Sequence, residues 1–596
     1  MKAINHHHPH IHAIAIAIAI SITTSIPTIL INFTNNKTAS MKLSSLFLSF
    51  LFVKEIHSFV SFPQRLSKGR HLLVASDSAA VDKGKELNSN DAAAEDHKIR
   101  PLHQNWWPVS TTFALDKTRP NSVELLNQKL VVFWSESDQT WTCLDDRCSH
   151  RFAPLSEGRI VSNNCLQCAY HGWEFDSQGR CQKVPQAKSG TGGRNVQKYP
   201  VQVQASMIFV WADPDSYDSL GTSTTIPMFP RLETTLQEKG DSACFMRDLP
   251  YGYELLGENL LDLSHLPFSH HGVGGLQRKM GGELPFKMLS ASQRSQDQPL
   301  FEAFLENAGD WDPLFKVSPR PVGPEATLNL GFYDPCHVRY TRRKTPGNDS
   351  GTSYVALYFC PTSSTKSRVF LFNVAPKFEP KGIKGKLLAE IIKRKFTPVF
   401  SHQISHKIFD GDGIFLHKQG DRMQRLGLNY KDYHTPAAAD VMVNAFRRYN
   451  DVACKRTAAI AGLESMAEAA MPPPGSYKDN LPRSQMLDRY ESHTKNCKIC
   501  SAALKSAQQK QKRLQIVQTA LIGATGVSLT TLMGSALWMV SCAFPLGAIP
   551  SAIARLSAAT SASLLGASMW LSKRKEKRQQ EIQQFLFEDY IHAEKD

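Results

Sequence analysis

Two short runs, Cys148-Ser149-His150 and Cys168-Ala169-Tyr170-His171, decide how the first half of this chain is interpreted. Each run carries one cysteine and one histidine, and seventeen residues lie between His150 and Cys168. A two-iron, two-sulfide cluster can be held by two thiolates on one iron and two neutral imidazoles on the other. Because each run would deliver one ligand of each kind, we expect Cys148 and Cys168 to bind one iron, and His150 and His171 to bind the other.

The alternative for these four residues is a closed zinc site with two cysteines and two histidines. Such sites usually group the two cysteines first and the two histidines later, at longer spacings. The interleaved order here favours the iron-sulfur cluster. We interpret the neighbouring Cys143, Cys165 and Cys181 as small core residues rather than as ligands.

A second group of metal-ligand residue types lies downstream, in the segment 258–271, which reads ENLLDLSHLPFSHH. At about 100° per residue, Asn259, Asp262 and His265 would share one face of a helix. We therefore treat Asn259 and Asp262 as candidate catalytic residues beside a histidine ligand.

His265 and His270 are the two histidines that we expect to share a metal ion. Five residues apart, they would point about 140° away from each other on an unbroken helix. Pro267 disfavours helical geometry in the residue before it, so we expect the helix to break between the two imidazoles and to let them converge.

A carboxylate is still needed for an oxygen-activating iron site. Two histidines and one carboxylate on one face of ferrous iron leave positions open for O₂ and substrate. The segment 409–419, FDGDGIFLHKQ, offers two candidates, Asp410 and Asp412.

The pattern along the chain predicts an α+β protein. We expect a targeting presequence and linker at 1–100, an all-β cluster domain at 101–215 and an α+β catalytic domain with an antiparallel sheet at 216–450. A polar segment would follow at 451–505, and a transmembrane helical hairpin with a basic tail at 506–596. Strands are predicted from apolar, β-branched runs between turn residues, as at Lys129–Trp134, Met207–Trp211, Ser353–Phe359 and Arg368–Val374.

The predicted membrane hairpin rests on two uncharged runs. One extends from Leu514 to Ala554 and the other from Leu556 to Ser572, and the segment Pro545 to Pro550 would separate two helices. Basic residues flank both outer ends, which would place both ends on the same side of the membrane. A surface helix is the alternative for the second run, which is rich in Ala and Ser.

The first hundred residues have the composition of a targeting sequence. A His-rich tract and an Ala-Ile repeat come first, and Met41 then precedes an apolar run from Leu43 to Val53 with the anatomy of a signal peptide. Translation from either Met1 or Met41 is compatible with this pattern. A signal peptide followed by a transit peptide resembles the bipartite address of plastids acquired by secondary endosymbiosis.

Composition excludes several other functions. The 596 residues are 42% hydrophobic, enough for more than one core, and the formal charge is +15. No nucleic-acid motif accompanies the dispersed Lys and Arg, so an anionic membrane surface or an acidic electron donor is a better partner than nucleic acid. Twelve cysteines are too few for a disulfide scaffold in a chain of this length.

The two motifs together resemble those of the Rieske non-haem iron oxygenases, over about residues 101 to 450. The start of that region at Asn105-Trp106-Trp107-Pro108-Val109, the segment 258–271, a late Cys-x-x-Cys and the C-terminal hairpin resemble the plastid branch that contains pheophorbide a oxygenase. The same branch includes the translocon-associated and protochlorophyllide-linked envelope Rieske proteins. Within the resemblance, the apolar turn and the glutamine that follow Asp412 favour it over Asp410 as the third iron ligand.

The resemblance implies a monooxygenase that uses O₂ and electrons from reduced ferredoxin to oxidise a chlorophyll-derived tetrapyrrole, with pheophorbide a as the first choice. Chlorophyllide or protochlorophyllide is an alternative substrate. The resemblance also implies a homotrimer, in which Asp262 links the cluster of one subunit to the iron site of the next. A redox-sensing component of a plastid import complex is the alternative function.

Cys497 and Cys500 form the late Cys-x-x-Cys, between lysines and just before the predicted hairpin. Nearby lysines favour the thiolate, and such a pair can close into a disulfide that a thioredoxin reopens. A zinc site is the alternative, but His493 is the one further ligand type nearby in the sequence. The sequence therefore favours a redox switch at this pair.

Overall fold

The computed structural model describes residues 96–188, 192–316, 325–345, 351–375, 396–477, 481–541 and 549–592, with a few isolated positions between them. The presequence, with Met1, Met41 and the His-rich tract, lies outside the described residues.

Three small antiparallel sheets occupy residues 106 to 211. Their strand orders are β1-β11-β10, β2-β3-β4-β9 and β5-β6-β7-β8. The strands predicted at Lys129–Trp134 and Met207–Trp211 are confirmed as β3 and β11. The bounds are β1 Trp106–Thr111, β2 Asn121–Leu125, β3 Gln128–Ser135, β4 Thr140–Asp145, β5 Arg159–Ile160, β6 Leu166–Gln167, β7 Glu174–Phe175, β8 Cys181–Lys183, β9 Lys198–Tyr199, β10 Val201–Gln204 and β11 Met207–Trp211.

A seven-stranded antiparallel sheet follows, in the order β12-β18-β17-β16-β15-β14-β13. The strands predicted at Ser353–Phe359 and Arg368–Val374 are confirmed within β17 and β18. The bounds are β12 Cys244–Leu249, β13 Lys287–Met288, β14 Phe301–Leu305, β15 Thr327–Tyr333, β16 His337–Arg343, β17 Ser353–Ser363 and β18 Lys366–Val374.

Helices pack around this sheet and extend beyond it. Their bounds are α1 Pro230–Lys239, α2 Tyr253–Leu261, α3 Leu266–Ser269, α4 Ala308–Trp311, α5 Pro313–Lys316, α6 Pro398–Leu426, α7 Val441–Ala458, α8 Glu464–Ala470, α9 Arg483–Met486, α10 Lys498–Ser541 and α11 Ile549–Leu586. The long helix α6 begins at a capping residue, since the Thr397 side chain accepts a hydrogen bond from the Phe400 amide.

The β2–β3 turn joins the small sheets to the large one. Leu126 and Asn127 have left-handed φ angles of 50° and 63°, and their amides donate to the carbonyls of Pro361 (2.9 Å) and Thr362 (3.0 Å) at the end of β17. These backbone bonds fix the first sheets against the end of strand β17 in the large sheet.

The two C-terminal helices α10 and α11 pack against each other. Gln518 donates to Ser572 at 2.6 Å, and Ser528 donates to the Ser557 carbonyl at 3.0 Å. Of the described helices, the one from Lys498 to Trp538 is long and apolar enough to cross a membrane. The second predicted span does not reach that level of hydropathy, because Ser and Ala dominate it.

The predicted helix through Asn259, Asp262 and His265 is shorter than expected. Helix α2 ends at Leu261, and Asp262 is extended with φ −102° and ψ 114°. The break therefore falls before His265 rather than between the two histidines, and Pro267 lies in the first turn of the separate helix α3. Proline fits there because the first turn of a helix has no internal partner for a backbone N–H.

Helix α2 is held close to α7 at a glycine. A Cβ added to Gly257 would lie 2.0 to 2.8 Å from ring atoms of the buried Phe446. We expect Gly257→Ala to lower the free energy of unfolding by about 1–3 kcal/mol, because the ring has no room to retreat. The matched control is Gly523→Ala, whose added Cβ meets nothing within 4 Å. Thermal unfolding of the two variants measures the difference, and equal melting temperatures would contradict this account.

Candidate iron-sulfur and iron sites

The two cluster-binding runs form a pair of similar loops. In each loop the cysteine carbonyl accepts a hydrogen bond from the amide four residues later, Phe152 at 2.8 Å in one and Gly172 at 3.0 Å in the other. Both of these residues are left-handed, with φ of 60° and 75°. Each cysteine amide in turn donates to the carbonyl five residues later. The loops therefore present their cysteines in matching positions, while the histidines follow two residues later in one loop and three residues later in the other.

The four candidate ligands come together between the loops. Cys148 and Cys168 are both 1% exposed and lie within hydrogen-bonding reach of each other. The rings of His150 and His171 have centroids 4.5 Å apart, and Nδ1 of His150 is buried without a hydrogen-bond partner. Trp173 stacks on His150 with centroids 4.8 Å apart and an interplanar angle of 3°. A buried, unpaired ring nitrogen beside two buried thiols suits a metal cluster.

The surface over the two histidines is apolar. Phe152 is 72% exposed and Tyr170 is 67% exposed, and the Tyr170 ring lies 3.9 Å from the His171 ring, centroid to centroid.

The second site brings together His265, His270 and Asp412, whose ligand atoms lie within 4.8 Å of one another. Asp412 Oδ1 is 3.3 Å from Nε2 of His270 and 3.7 Å from Nε2 of His265. His270 and Asp412 are buried, at 0% and 3% exposure, and both ring nitrogens of His270 lack a hydrogen-bond partner. Two imidazoles and one carboxylate facing one point fit a ferrous ion with open positions.

Opposite charges raise and lower pKa values within this trio. Burial alone would lower the pKa of His265, but the carboxylates of Asp412 and Asp262 outweigh it and raise the pKa to about 9. Burial alone would raise the pKa of Asp412, yet His270 and His265 lower it to about 2. The site therefore favours the ionised form of Asp412 and the protonated form of His265 when no metal ion is bound.

Asp262 and Asn259 lie beside His265, as expected from the sequence, although no continuous helix carries them. Oδ2 of Asp262 is 3.5 Å from Nδ1 of His265, the nitrogen opposite the one that faces Asp412. Nδ2 of Asn259 is 3.4 Å from Nε2 of His265. A carboxylate at the far nitrogen of a metal-binding imidazole fixes its orientation.

Asp410, the alternative carboxylate, lies elsewhere. It is fully buried between two arginines, with Oδ1 2.6 Å from Nη2 of Arg247 and Oδ2 2.6 Å from Nη2 of Arg489. Both arginines are at most 2% exposed. Asp410 is therefore committed to ion pairs, whereas Asp412 faces the two imidazoles.

Sequence reasoning missed the residues that support Asp412. Ser269 donates its hydroxyl to Asp412 Oδ1 at 2.9 Å, and Tyr590 donates its hydroxyl to the Ser269 carbonyl at 2.9 Å. Tyr590 comes from the C-terminal tail, and no pattern in the sequence places that tail at the site. The glycine before Asp412 is the one feature of the sequence that indicates close packing here. A Cβ at Gly411 would lie 3.3 Å from Nδ1 of His270, so glycine lets α6 approach the histidine.

Comparison with known proteins agrees with this geometry. The sequence model of the Rieske [2Fe-2S] domain matches residues 105–200, and that of pheophorbide a oxygenase matches residues 332–429. The chain is 29% identical to pheophorbide a oxygenase of Arabidopsis thaliana, over 87% of this chain and 89% of the relative. It is 30% identical to that of Oryza sativa subsp. japonica, over 83% and 85%.

Other similar proteins match a smaller share of the chain. Flavonoid 8-hydroxylase 2 of Ocimum basilicum is 29% identical over 70% of this chain and 77% of the relative. Among solved structures, Pseudomonas putida CBB5 NdmA with caffeine is 21% identical, with a TM-score of 0.42 over 65% of this chain and 100% of that one.

The two loops and the domain match define a Rieske-type oxygenase, an enzyme whose cofactors are a [2Fe-2S] cluster and a mononuclear non-haem iron. Within that class, the chain belongs to the pheophorbide a oxygenase family.

We expect substitution of the two acidic residues of α6 to have different effects, one on iron content and the other on stability. Asp412→Asn should lose the mononuclear iron with little change in melting temperature, because the amide cannot supply the anionic ligand. Asp410→Asn should keep that iron site, because the amide oxygen can still accept a hydrogen bond and hold α6 in place, but it should unfold more easily, by about 3 kcal/mol, because two buried arginine cations lose their anionic partner. Iron content and thermal unfolding of the two variants check this. Iron loss in Asp410→Asn at unchanged stability would reverse the assignment.

Proposed function

We propose that this protein is a membrane-anchored plastid monooxygenase that oxidises a chlorophyll-derived tetrapyrrole, with pheophorbide a as its substrate. The observation that carries the proposal is the similarity to pheophorbide a oxygenases over more than four fifths of the chain, joined to an iron trio that opens into a cavity. Plastid targeting follows from the chloroplastic relatives, and a secondary plastid from the bipartite presequence.

The proposed ligand assignment follows the contacts described above. Cys148, Cys168, His150 and His171 would hold the cluster, whose imidazole ligands give it a higher potential than an all-cysteine cluster. His265, His270 and Asp412 would hold the iron. The chemistry that such a ferrous ion supplies when bound is activation of O₂ at its remaining open positions.

The protein's own residues prepare that site. Ser269 donates to Oδ1 of Asp412, the same oxygen that lies 3.3 and 3.7 Å from the two imidazoles, and so holds the carboxylate turned toward them. Asp262 holds Nδ1 of His265 in place and is itself fixed by the Ser264 amide, which donates to Oδ1 at 2.6 Å. These contacts keep Nε2 of His265 directed at the metal position.

The cavity beside the trio suits a flat apolar ring. Phe268 and Phe415 line it and are 54% and 51% exposed. Large apolar side chains left exposed beside a polar site are typical of binding surfaces. Arg278 lines the same cavity and provides positive charge for a carboxylate of the substrate.

Electron transfer between subunits is the second part of the proposal. Asp262 and His265 line the open cavity, whereas the described ring contacts of His150 and His171 are with each other and with Trp173 and Tyr170 of the cluster-binding loops. The apolar surface formed by Phe152 and Tyr170 would dock on a neighbouring chain. We infer a homotrimer in which Asp262 carries the connection, with reduced ferredoxin as the external donor.

The membrane anchor would be the pair α10 and α11. The apolar stretch of α10 meets the length and hydropathy of a span, and α11 packs along it through Ser and Gln side chains. We propose that both cross the membrane as a hairpin.

The direct test of substrate uses purified full-length protein with reduced ferredoxin and isotopically labelled O₂. Offered pheophorbide a, chlorophyllide, protochlorophyllide and a flavonoid separately, it should add labelled oxygen to pheophorbide a, as read by mass. The matched control is Asp412→Asn, which should yield no product. Cluster reduction and reoxidation without product from any compound would instead favour the redox-sensing alternative.

The test of the trimer mixes two inactive chains. Cys148→Ser removes a cluster ligand and Asp412→Asn removes the iron carboxylate, so each alone should be inactive. Co-expressed, they should regain activity, because about one quarter of randomly assembled neighbouring pairs join an intact cluster to an intact iron site. Mixed oligomers no more active than their parents would contradict electron transfer between subunits.

Asp262→Asn should keep both metals yet abolish electron transfer to the iron in a pre-reduced enzyme.

A further inference from the structure

A second group of four metal-ligand side chains lies away from both iron sites. His402, His493, Cys497 and Cys500 place one ligand atom each within 4.8 Å of one another. Cys500 Sγ is 3.3 Å from Nδ1 of His402 and 3.3 Å from Nε2 of His493, and Cys497 Sγ is 3.6 Å from Nδ1 of His402. The sequence suggested His493 as a neighbour of this pair but gave no sign of His402, which is 95 residues upstream of Cys497.

Three separate elements supply these residues. His402 lies in the first turns of α6, His493 in a single π-helical turn at Tyr490–Thr494, and the cysteines at the start of α10. His402, His493 and Cys500 are buried, at 2%, 3% and 0% exposure. Cys497 is partly exposed and lines a small pocket at the surface, which provides a route of entry.

The distances match a tetrahedral zinc site. Zinc lies about 2.3 Å from thiolate sulfur and about 2.0–2.1 Å from imidazole nitrogen, so in a tetrahedron sulfur and nitrogen are about 3.5 Å apart. The measured sulfur–nitrogen separations of 3.3 to 3.6 Å bracket that value.

The surroundings of His493 orient it as a ligand. Its Nδ1 lies 2.6 Å from the carbonyl oxygen of Met246, so the proton belongs on Nδ1 and the lone pair of Nε2 faces the cysteines. A backbone carbonyl on the far nitrogen is the usual second partner of a zinc-bound histidine. Phe245 stacks on the same ring with centroids 4.5 Å apart and keeps it in place.

We propose that His402, His493, Cys497 and Cys500 bind one Zn²⁺ in a closed structural site. The two thiols release their protons to solvent when zinc binds, and two thiolates with one dication leave the buried group neutral. Four protein ligands leave no open position, so this site supports structure rather than catalysis.

The position of the site explains what it would stabilise. It joins the start of α10 to α6, ten residues before Asp412 on the same helix. Next to it, the Thr494 hydroxyl donates to the carbonyl of Phe585 at the end of α11, at 2.8 Å. Zinc would thus fasten both C-terminal helices to the helix that presents the iron carboxylate.

A disulfide switch at Cys497 and Cys500 is the competing hypothesis. A thioredoxin must reach one sulfur of its target, and the partly exposed Cys497 meets that requirement although Cys500 is fully buried, so accessibility does not separate the two hypotheses. Both cysteines are free in the structure, and a disulfide between them would leave two buried imidazoles facing a neutral pair of sulfurs. The convergence of all four side chains therefore favours the metal.

The test measures zinc in the full-length protein purified under reducing conditions. We expect about one zinc per chain, and X-ray absorption at the zinc edge should show two sulfur and two nitrogen ligands, at about 2.3 and 2.0 Å. The double variant Cys497→Ser, Cys500→Ser should lose the zinc and keep the [2Fe-2S] absorption. The matched control is Cys244→Ala, a buried cysteine in the wall of the same pocket, which should keep the zinc.

A second variant keeps the proposal testable if the serine variant misfolds. His402→Cys should retain zinc with a third sulfur ligand, a change that a merely structural histidine would not produce. Zinc with nitrogen ligands alone, retained in the double variant, would belong to the His-rich tract and overturn the proposal. A zinc-free protein with a Cys497–Cys500 disulfide would overturn it in favour of the redox switch.

Discussion

The buried ion pairs of Asp410 are the constraint on which the iron site depends. The Asp410 carboxylate lies between Arg247 on β12 and Arg489, which comes just before the π-helical turn at Tyr490–Thr494, and all three side chains are at most 2% exposed. Buried charges are tolerated when each is paired, and removal of one partner is strongly destabilising. The rotation of α6 about its axis is therefore fixed at Asp410, and this fixes the direction of Asp412 two residues later.

Helix α6 links this constraint to the rest of the molecule. Arg489 also pairs with Glu588, 2.8 Å away, and donates to the Gln584 carbonyl at 2.9 Å. The end of α11 and the tail that supplies Tyr590 are thus held by the arginine that holds Asp410. In this arrangement the iron site, the proposed zinc site and the C-terminal helices all contact helix α6, and their stabilities are coupled through it.

The sequence singled out candidate ligands because metal chemistry restricts them to a few residue types at short spacings. It predicted the local backbone less well at 259–270. Periodicity favoured one helix broken at Pro267, whereas α2 ends at Leu261. Three features in a row let His265 and His270 converge. Asp262 accepts a hydrogen bond from the Ser264 amide, a short helix follows, and a proline lies in the first turn of that helix.

The sequence by itself determined the cluster loops, the two histidines of the iron site and the order of sheet and helices, because each depends on residues close together in the chain. Tertiary structure alone placed Asp410 between two arginines, brought Tyr590 to the site from the C-terminal tail and placed His402 beside Cys497 and Cys500. Those contacts join residues tens to hundreds of positions apart. Their partners are chosen by how α6 packs between the sheet and the C-terminal helices, and no local spacing records that packing.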